Sequence, residues 1–335
     1  MTSQIETRLT QKLSNIKDGQ YKPSDFIIAD AKDADMGGGI SGVGFTTDKL
    51  GRRQAKTAQD YRTAMREMMA SGLVDIMLTS LSSADELHSQ DAFNGSDITP
   101  AVRLNDATDI WGCRGANYKH RPAIPFRTAP LEHARKVCAL GLYAIAFYND
   151  GEQDVLTLNA YRAFREEAER VDMAHFLEVF NPAFDIDTGD EDLGKFINDA
   201  IVRCLAGVPA TQRPLFLKMQ YNGARAMEEL ASYDPANLIV GVLGGAAGTT
   251  RDTFELIAQV ERFGGRVALF GRKIYGAEDA VELVRIMRSI IEDGMGTKEA
   301  VKLYHDGLSK KGIQPIHALE DDIQVTDTVL SAEAQ

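Results

Sequence analysis

The chain has 335 residues, 44% apolar, 26% charged and 7% aromatic, the profile of an ordinary folded protein rather than a disordered, fibrous or membrane one. Thirty-seven Lys and Arg stand against 49 Asp and Glu, a net charge of −12. That excess argues against nucleic-acid backbones and anionic membrane surfaces as partners, because both need a broad positive field, but it leaves room for a small anion site inside a cavity. In chain order, a polar extension over residues 1–24 precedes a short apolar run at 26–29. Similar runs, bounded by Gly, Pro, Asp or Asn, recur at 74–78, 101–104, 143–147, 176–180, 215–219, 238–242 and 267–270. Helical patterns fall between them at 61–70, 131–140, 158–170, 193–205, 224–230, 253–263 and 277–291. Eight strands that are apolar on both faces and alternate with helices predict an α/β fold, a single (β/α)8 TIM barrel over residues 25–308, with an open doubly wound sheet as the second choice. The 309–335 segment, with Glu320, Asp321 and Asp322, reads as an acidic C-terminal tail without a catalytic part.

Three cysteines, Cys113, Cys138 and Cys204, lie far apart and without a Cys-x-x-Cys spacing. Neither a disulfide framework nor a zinc site is expected, and a reducing cytoplasm fits best. The first residues lack an apolar signal core, and no run approaches the roughly 18 apolar residues of a spanning helix. Six histidines show no metal-ligand spacing, so no metal and no cofactor are expected.

In a barrel the chemistry sits at the C-terminal ends of the strands. Lys218 stands out there, set in Leu215-Phe216-Leu217-Lys218-Met219. Burial favours the neutral amine, a nucleophile that can attack a carbonyl and become an electron-withdrawing iminium. Glu178 interrupts the fifth strand and is either a proton-transfer carboxylate or simply the partner of Lys218 in a structural ion pair. Asp30, Lys32, Asp33 and Asp35 crowd the end of the first strand, where alternation assigns Asp30 to the inward side with Ile28. Asp30 is the candidate to steady an iminium or move a proton, and a charged rim network is the plain alternative.

The run Gly244-Gly245-Ala246-Ala247-Gly248-Thr249-Thr250 follows the seventh strand, and Gly271-Arg272-Lys273 follows the eighth. These two loops commonly hold a phosphate through backbone amides, a helix N-terminus and a bidentate arginine. Arg103, Asn105 and Asp106 on the third strand end, and Tyr148, Asn149 and Asp150 on the fourth, are further possible substrate contacts. Gly37, Gly39 and Gly42 match a dinucleotide-type spacing but lack the tight strand-to-helix turn, so a loop closing over the barrel mouth is the better reading.

These anchors occur in the order found in one family. The chain from about 25 to 308 resembles the archaeal-type class I fructose-bisphosphate aldolases and their relatives among Schiff-base aldolase barrels. The resemblance rests on Phe26-Ile27-Ile28-Ala29-Asp30, Thr99-Pro100-Ala101-Val102-Arg103-Leu104-Asn105, Lys218 to Gly223, Gly244-Gly245 and Gly271-Arg272-Lys273. It implies a Schiff base on Lys218, an acting Asp30, and a substrate phosphate on Gly244, Gly245, Gly271 and Arg272. It further implies a phosphorylated small-molecule substrate and a homo-oligomer. The fifth strand departs from the family in offering Glu178, Phe180 and Asn181 where relatives carry a tyrosine, which points away from fructose bisphosphate toward another phosphorylated keto compound. A metal-assisted enolate enzyme using Asp30, Lys32 and Asp35 is the alternative chemistry, and a non-catalytic barrel that binds a phosphorylated metabolite is the alternative outside catalysis.

Overall fold

The computed structural model of the chain describes residues 7–47, 52–105, 112–246 and 248–333; Asp106 lies outside them. Eight strands, β1 (Ile27–Lys32), β2 (Ile76–Thr79), β3 (Thr99–Arg103), β4 (Leu140–Ala146), β5 (Ala174–Phe180), β6 (Leu217–Met219), β7 (Gly241–Leu243) and β8 (Val267–Phe270), form a closed barrel. Each pairs in parallel with its sequence neighbour, and β8 returns to β1 with Ile27 opposite Val267. This is the single (β/α)8 barrel expected from the alternation of apolar runs and helical patterns. Gly241 is required where the barrel closes, because a Cβ there would meet the Leu217 carbonyl and the Val267 side chain, each at 2.6 Å.

Two apolar layers follow from the pleat. One face of each strand packs outward under the helices, as Ile28, Met77, Val102, Leu177 and Val179 do with Met65 and Met68. The other face fills the barrel, and on β1 and β4 it tapers from large to small toward the C-terminal end. On β1 the inward series runs Ile27, Ala29, Ala31, and on β4 it runs Leu140, Leu142, Ala144, Ala146. Small side chains near the top leave the volume in which the cavity forms.

The N-terminal extension closes the bottom. Its helix, Arg8–Lys17, buries Leu9, Leu13 and Ile16 against the barrel's inner core. A two-stranded antiparallel ribbon, Phe45–Thr47 with Arg53–Ala55, belongs to the long loop after β1. Several boundaries move relative to expectation. The helix expected at 158–170 begins at Gly151, capped by Asp150, whose side chain accepts from the N–H groups of Glu152 and Gln153. The helix expected at 131–140 ends at Val137 because the chain enters β4 at Leu140.

The C-terminal segment is docked rather than loose. The short helix Leu319–Asp322 packs on the helix Thr297–Lys310, and the short helix Thr328–Ser331 packs on the helix Thr250–Arg262, with Leu330 buried. Ile323 and Val325 pack against the core beside it, and polar contacts fasten the segment: Asp252 accepts from the Thr326 and Asp327 N–H groups at 2.8 and 3.1 Å, and Gln259 donates to the Leu330 carbonyl at 2.9 Å. No helix among the described residues is long and apolar enough to cross a membrane.

His175, at the lower end of β5, is buried with Nε2 2.9 Å from the Tyr161 hydroxyl. Burial, with Arg165 nearby, pushes its pKa down to about 3. The native state therefore keeps it neutral while the unfolded chain protonates it below roughly pH 6.5. Stability is expected to fall as pH drops through that range, by about 2 kcal/mol at pH 5 from this group. Urea unfolding of the wild type and His175→Gln at pH 7.5 and pH 5 measures it; an equal pH effect in both proteins would remove the assignment.

Candidate active site

Four charged side chains meet at the top of the barrel. Glu178 and Lys218 are register partners on β5 and β6, and both project inward. Lys218 Nζ lies 2.5 Å from Glu178 Oε1. Arg103, from the end of β3, donates through Nη2 to Glu178 Oε2 at 2.7 Å and through Nε to Asp33 Oδ2 at 2.5 Å. The result is a chain of alternating sign, Asp33–Arg103–Glu178–Lys218, in which no member is more than 7% exposed. Burial alone would raise the Asp33 carboxyl, but the positive charges of Arg103 and Lys218 overcome that and hold it below the usual aspartate value. Asp33 is therefore a fixed anion.

This chain forms one wall of a cavity of about 540 Å³ at the barrel mouth. The opposite wall consists of Gly244, Gly245, Gly271, Arg272 and Tyr275, and the loop after β1 contributes Ala34, Gly37, Gly38, Ser41 and Gly42. Phe180, the inward residue above Glu178, and Lys119 also line it. The loop after β1 thus does stand over the mouth. Its turn is tight, since a Cβ on Gly42 would fall 2.0 Å from the Ala34 carbonyl oxygen.

Several expected site residues are placed elsewhere. Asp30 was expected inward; it faces outward, on the side of Ile28, where it is fully buried and ion-paired with Lys32. The inward series on β1 is Ala29, Ala31, Asp33, so Asp33 and not Asp30 reaches the lysine wall. Asp35 accepts from Ser80 Oγ at 2.6 Å. The group proposed for an enolate mechanism, Asp30, Lys32 and Asp35, therefore does not converge on the cavity, and among the described residues no three His, Cys, Asp or Glu are placed to hold a metal.

Asn149 is also corrected. It occupies left-handed backbone at φ 54° and donates to the Asp187 carbonyl at 2.7 Å, outside the cavity outline. Tyr148 is held by the Ala123 N–H at 2.9 Å, and Asn105 both donates to and accepts from the Ala144 backbone, so these strand-end residues fasten β3, β4 and their loops. Lys273 turns away from the cavity and is buried behind Arg272, where burial pushes its pKa down to about 8 against the opposing pull of Asp252 and Asp327.

The helix after β7 differs from expectation in its electrostatics. Its first N–H groups are already occupied: Thr249 N–H donates to Asp252 Oδ2 at 3.0 Å, and Thr250 N–H to Asp322 Oδ1 at 2.7 Å. The protein's own carboxylates neutralise that terminus. An anion in the cavity is left to Gly244, Gly245, Gly271 and Arg272, which all line it. Among lining residues, Tyr275 was not singled out from the sequence; its only signal is a position three residues beyond Arg272.

No protein-family model and no curated protein matches the sequence. Solved structures do match it in fold. An archaeal fructose 1,6-bisphosphate aldolase superposes with a TM-score of 0.62 at 15% identity, covering 85% of this chain and 100% of its own. A Schiff-base-forming fructose-1,6-bisphosphate aldolase studied through its reaction intermediates gives 0.62 at 15%, with 84% and 99% covered. The fold is that of Schiff-base aldolases. The fructose-bisphosphate aldolase from Slackia heliotrinireducens DSM 20476 gives 0.63 at 12% identity, covering 95% of this chain and 96% of that one. The likeness read from the sequence is thus met by structural neighbours of that kind, at identities that speak for fold alone.

Proposed function

We propose that the protein is a class I aldolase-type lyase that forms an iminium between Lys218 and a phosphorylated keto compound. The observation that carries this reading is the buried Lys218 Nζ, facing the cavity with a carboxylate 2.5 Å away. Glu178 takes a proton from the ammonium, and the freed amine attacks the substrate carbonyl carbon. A proton passes from the nitrogen to the new alkoxide, Glu178 gives its proton to the resulting hydroxyl, water leaves, and the C=N⁺ bond forms. With its carboxylate restored, Glu178 accepts the proton of the hydroxyl two carbons from the iminium carbon. The carbon–carbon bond breaks, its electrons pass into the iminium to give an enamine, and an aldehyde departs. Protonation of the enamine by Glu178 and hydrolysis of the resulting iminium release the second product and regenerate Lys218.

Asp33, a fixed anion linked through Arg103, favours the cationic iminium electrostatically. Arg272 and the backbone of Gly244, Gly245 and Gly271 sit where they would hold the phosphate, and about 540 Å³ suits a small phosphorylated sugar or keto acid. Lys273 and Asn149 have no part in this assignment.

Reductive trapping tests it. Borohydride added with dihydroxyacetone phosphate or longer ketose phosphates is expected to leave a stable adduct, located by peptide mass spectrometry on Lys218. Thermal stabilisation by these phosphates with no adduct would instead support a barrel that binds a phosphorylated metabolite without turnover.

A further inference from the structure

Most polar side chains of the cavity are committed to one another. Asp33, Arg103, Glu178 and Lys218 form the chain described above, and Ser41 Oγ donates to the Gly38 carbonyl at 2.9 Å. Tyr275 differs. It lies on the four-residue helix Arg272–Tyr275 after β8, lines the cavity, and among the described residues its hydroxyl makes no hydrogen bond. Its position is nonetheless fixed. The Tyr275 N–H donates to the Gly271 carbonyl at 2.9 Å, and the ring meets Tyr61 edge-on with centroids 6.4 Å apart. A partly buried donor, held rigidly and without a partner, is the arrangement a ligand acceptor completes.

The surroundings say which acceptor. Arg272, three residues earlier in the same turn, lines the same wall, and Gly271 brings the backbone up beside it. A positive fork, glycine amides and a phenolic O–H together suit a group with several anionic oxygens. Burial raises the phenol above its ordinary value, so Tyr275 stays protonated and available as a donor across the neutral range.

We propose that Tyr275 is a substrate-contacting residue of the phosphate subsite, donating its phenolic O–H to a non-bridging phosphate oxygen while Arg272 supplies the opposing charge. The assignment rests on the phosphorylated-substrate part of the reading above and not on the chemistry at Lys218. It gives the site a means of selecting phosphorylated over unphosphorylated ketones, since a phosphate satisfies a donor that a plain ketone leaves unpaired.

The test uses the full chain and Tyr275→Phe, which keeps the ring that packs on Tyr61. Inorganic phosphate and dihydroxyacetone phosphate are titrated calorimetrically into both, and thermal melts confirm that the variant is folded. A hydrogen bond to a charged group predicts a roughly tenfold or greater loss of affinity for each phosphate. The ratio of adduct formed on borohydride treatment with dihydroxyacetone phosphate to that with dihydroxyacetone is expected to fall by a similar factor. Phosphate affinity that is equal in the two proteins, or absent from both, overturns the proposal. Loss of phosphate affinity in the variant while neither protein forms any adduct would retain the Tyr275 contact and refute the Schiff-base reading instead.

Discussion

Lys218→Met is expected to form no borohydride adduct and to lose carbon–carbon cleavage by a factor on the order of 10⁴ or more, as removal of a covalent nucleophile does. Methionine fills nearly the same length, so the cavity wall keeps its volume. The fold should survive with some loss of stability, because Glu178 retains its 2.7 Å contact with Arg103 but then shares that one guanidinium with Asp33. That separation matters for interpretation, since a variant that unfolds says nothing about chemistry. Cooperative melts of both proteins, with an adduct in the wild type only, are the expected result. An adduct of the same mass in Lys218→Met, or activity reduced less than tenfold, would sink the assignment of Lys218 as the amine.

Lys218 and Glu178 were both legible in the sequence for one reason: each is a charged residue inside a strand otherwise apolar. The eight strands were legible for a related reason, since parallel strands covered on both faces appear as continuous apolar runs. That same property hid the facing of β1. Ile27 and Ile28 are both fully buried, one in the barrel and one under the helices, so hydrophobicity carries no sign of which parity is inward. A sequence reading that places Ile28 inward chooses Asp30, and a shift of one residue chooses Asp33. The taper to alanine at Ala29 and Ala31 was the available clue, because only the inward series must make room for a ligand.

Two further features lacked any periodic signature. The C-terminal segment docks through the scattered apolar residues Ile323, Val325 and Leu330 and through single polar contacts, such as the Thr250 N–H to Asp322 and the Thr326 N–H to Asp252, a spacing that makes no helical stripe. Its effect reaches the site indirectly. Asp322 and Asp252 take up the helix N-terminus that the glycine-rich sequence offers to a phosphate, so of the two loops only the β8 turn keeps a cation, Arg272, on the cavity. Asp150 and Asn149 illustrate the complementary error. At a strand end a polar residue is as available for capping the next helix or bridging to a loop as for meeting substrate, and only the fold decides.

The largest expected effect on stability lies at the other end of the barrel, in Asp75→Ala. Asp75 precedes β2 and is fully buried beneath the barrel. Its carboxylate meets Arg8 Nε at 2.8 Å, Lys12 Nζ at 3.0 Å and Arg288 Nη2 at 2.6 Å, and accepts the Ile28 N–H at 2.9 Å. One side chain thereby ties the N-terminal helix, β1, β2 and the helix Ala280–Glu292 together. Burial would raise its pKa, but Arg288 and Lys12 prevail and hold it below the usual aspartate value. Its contribution to stability is therefore present above the ordinary aspartate pKa and is lost as pH falls toward the depressed value. Alanine removes the anion, strands the buried Lys12 without a counter-charge and leaves Arg288 only the exposed Glu292 carboxylate at 3.4 Å; the expected loss is about 3–5 kcal/mol. Arg8→Ala should cost much less, because that side chain is a third exposed and two cations remain on Asp75. Urea unfolding at pH 7 measures both variants. A loss under about 1 kcal/mol for Asp75→Ala would mean that the four-way contact is not what holds the base of the barrel together.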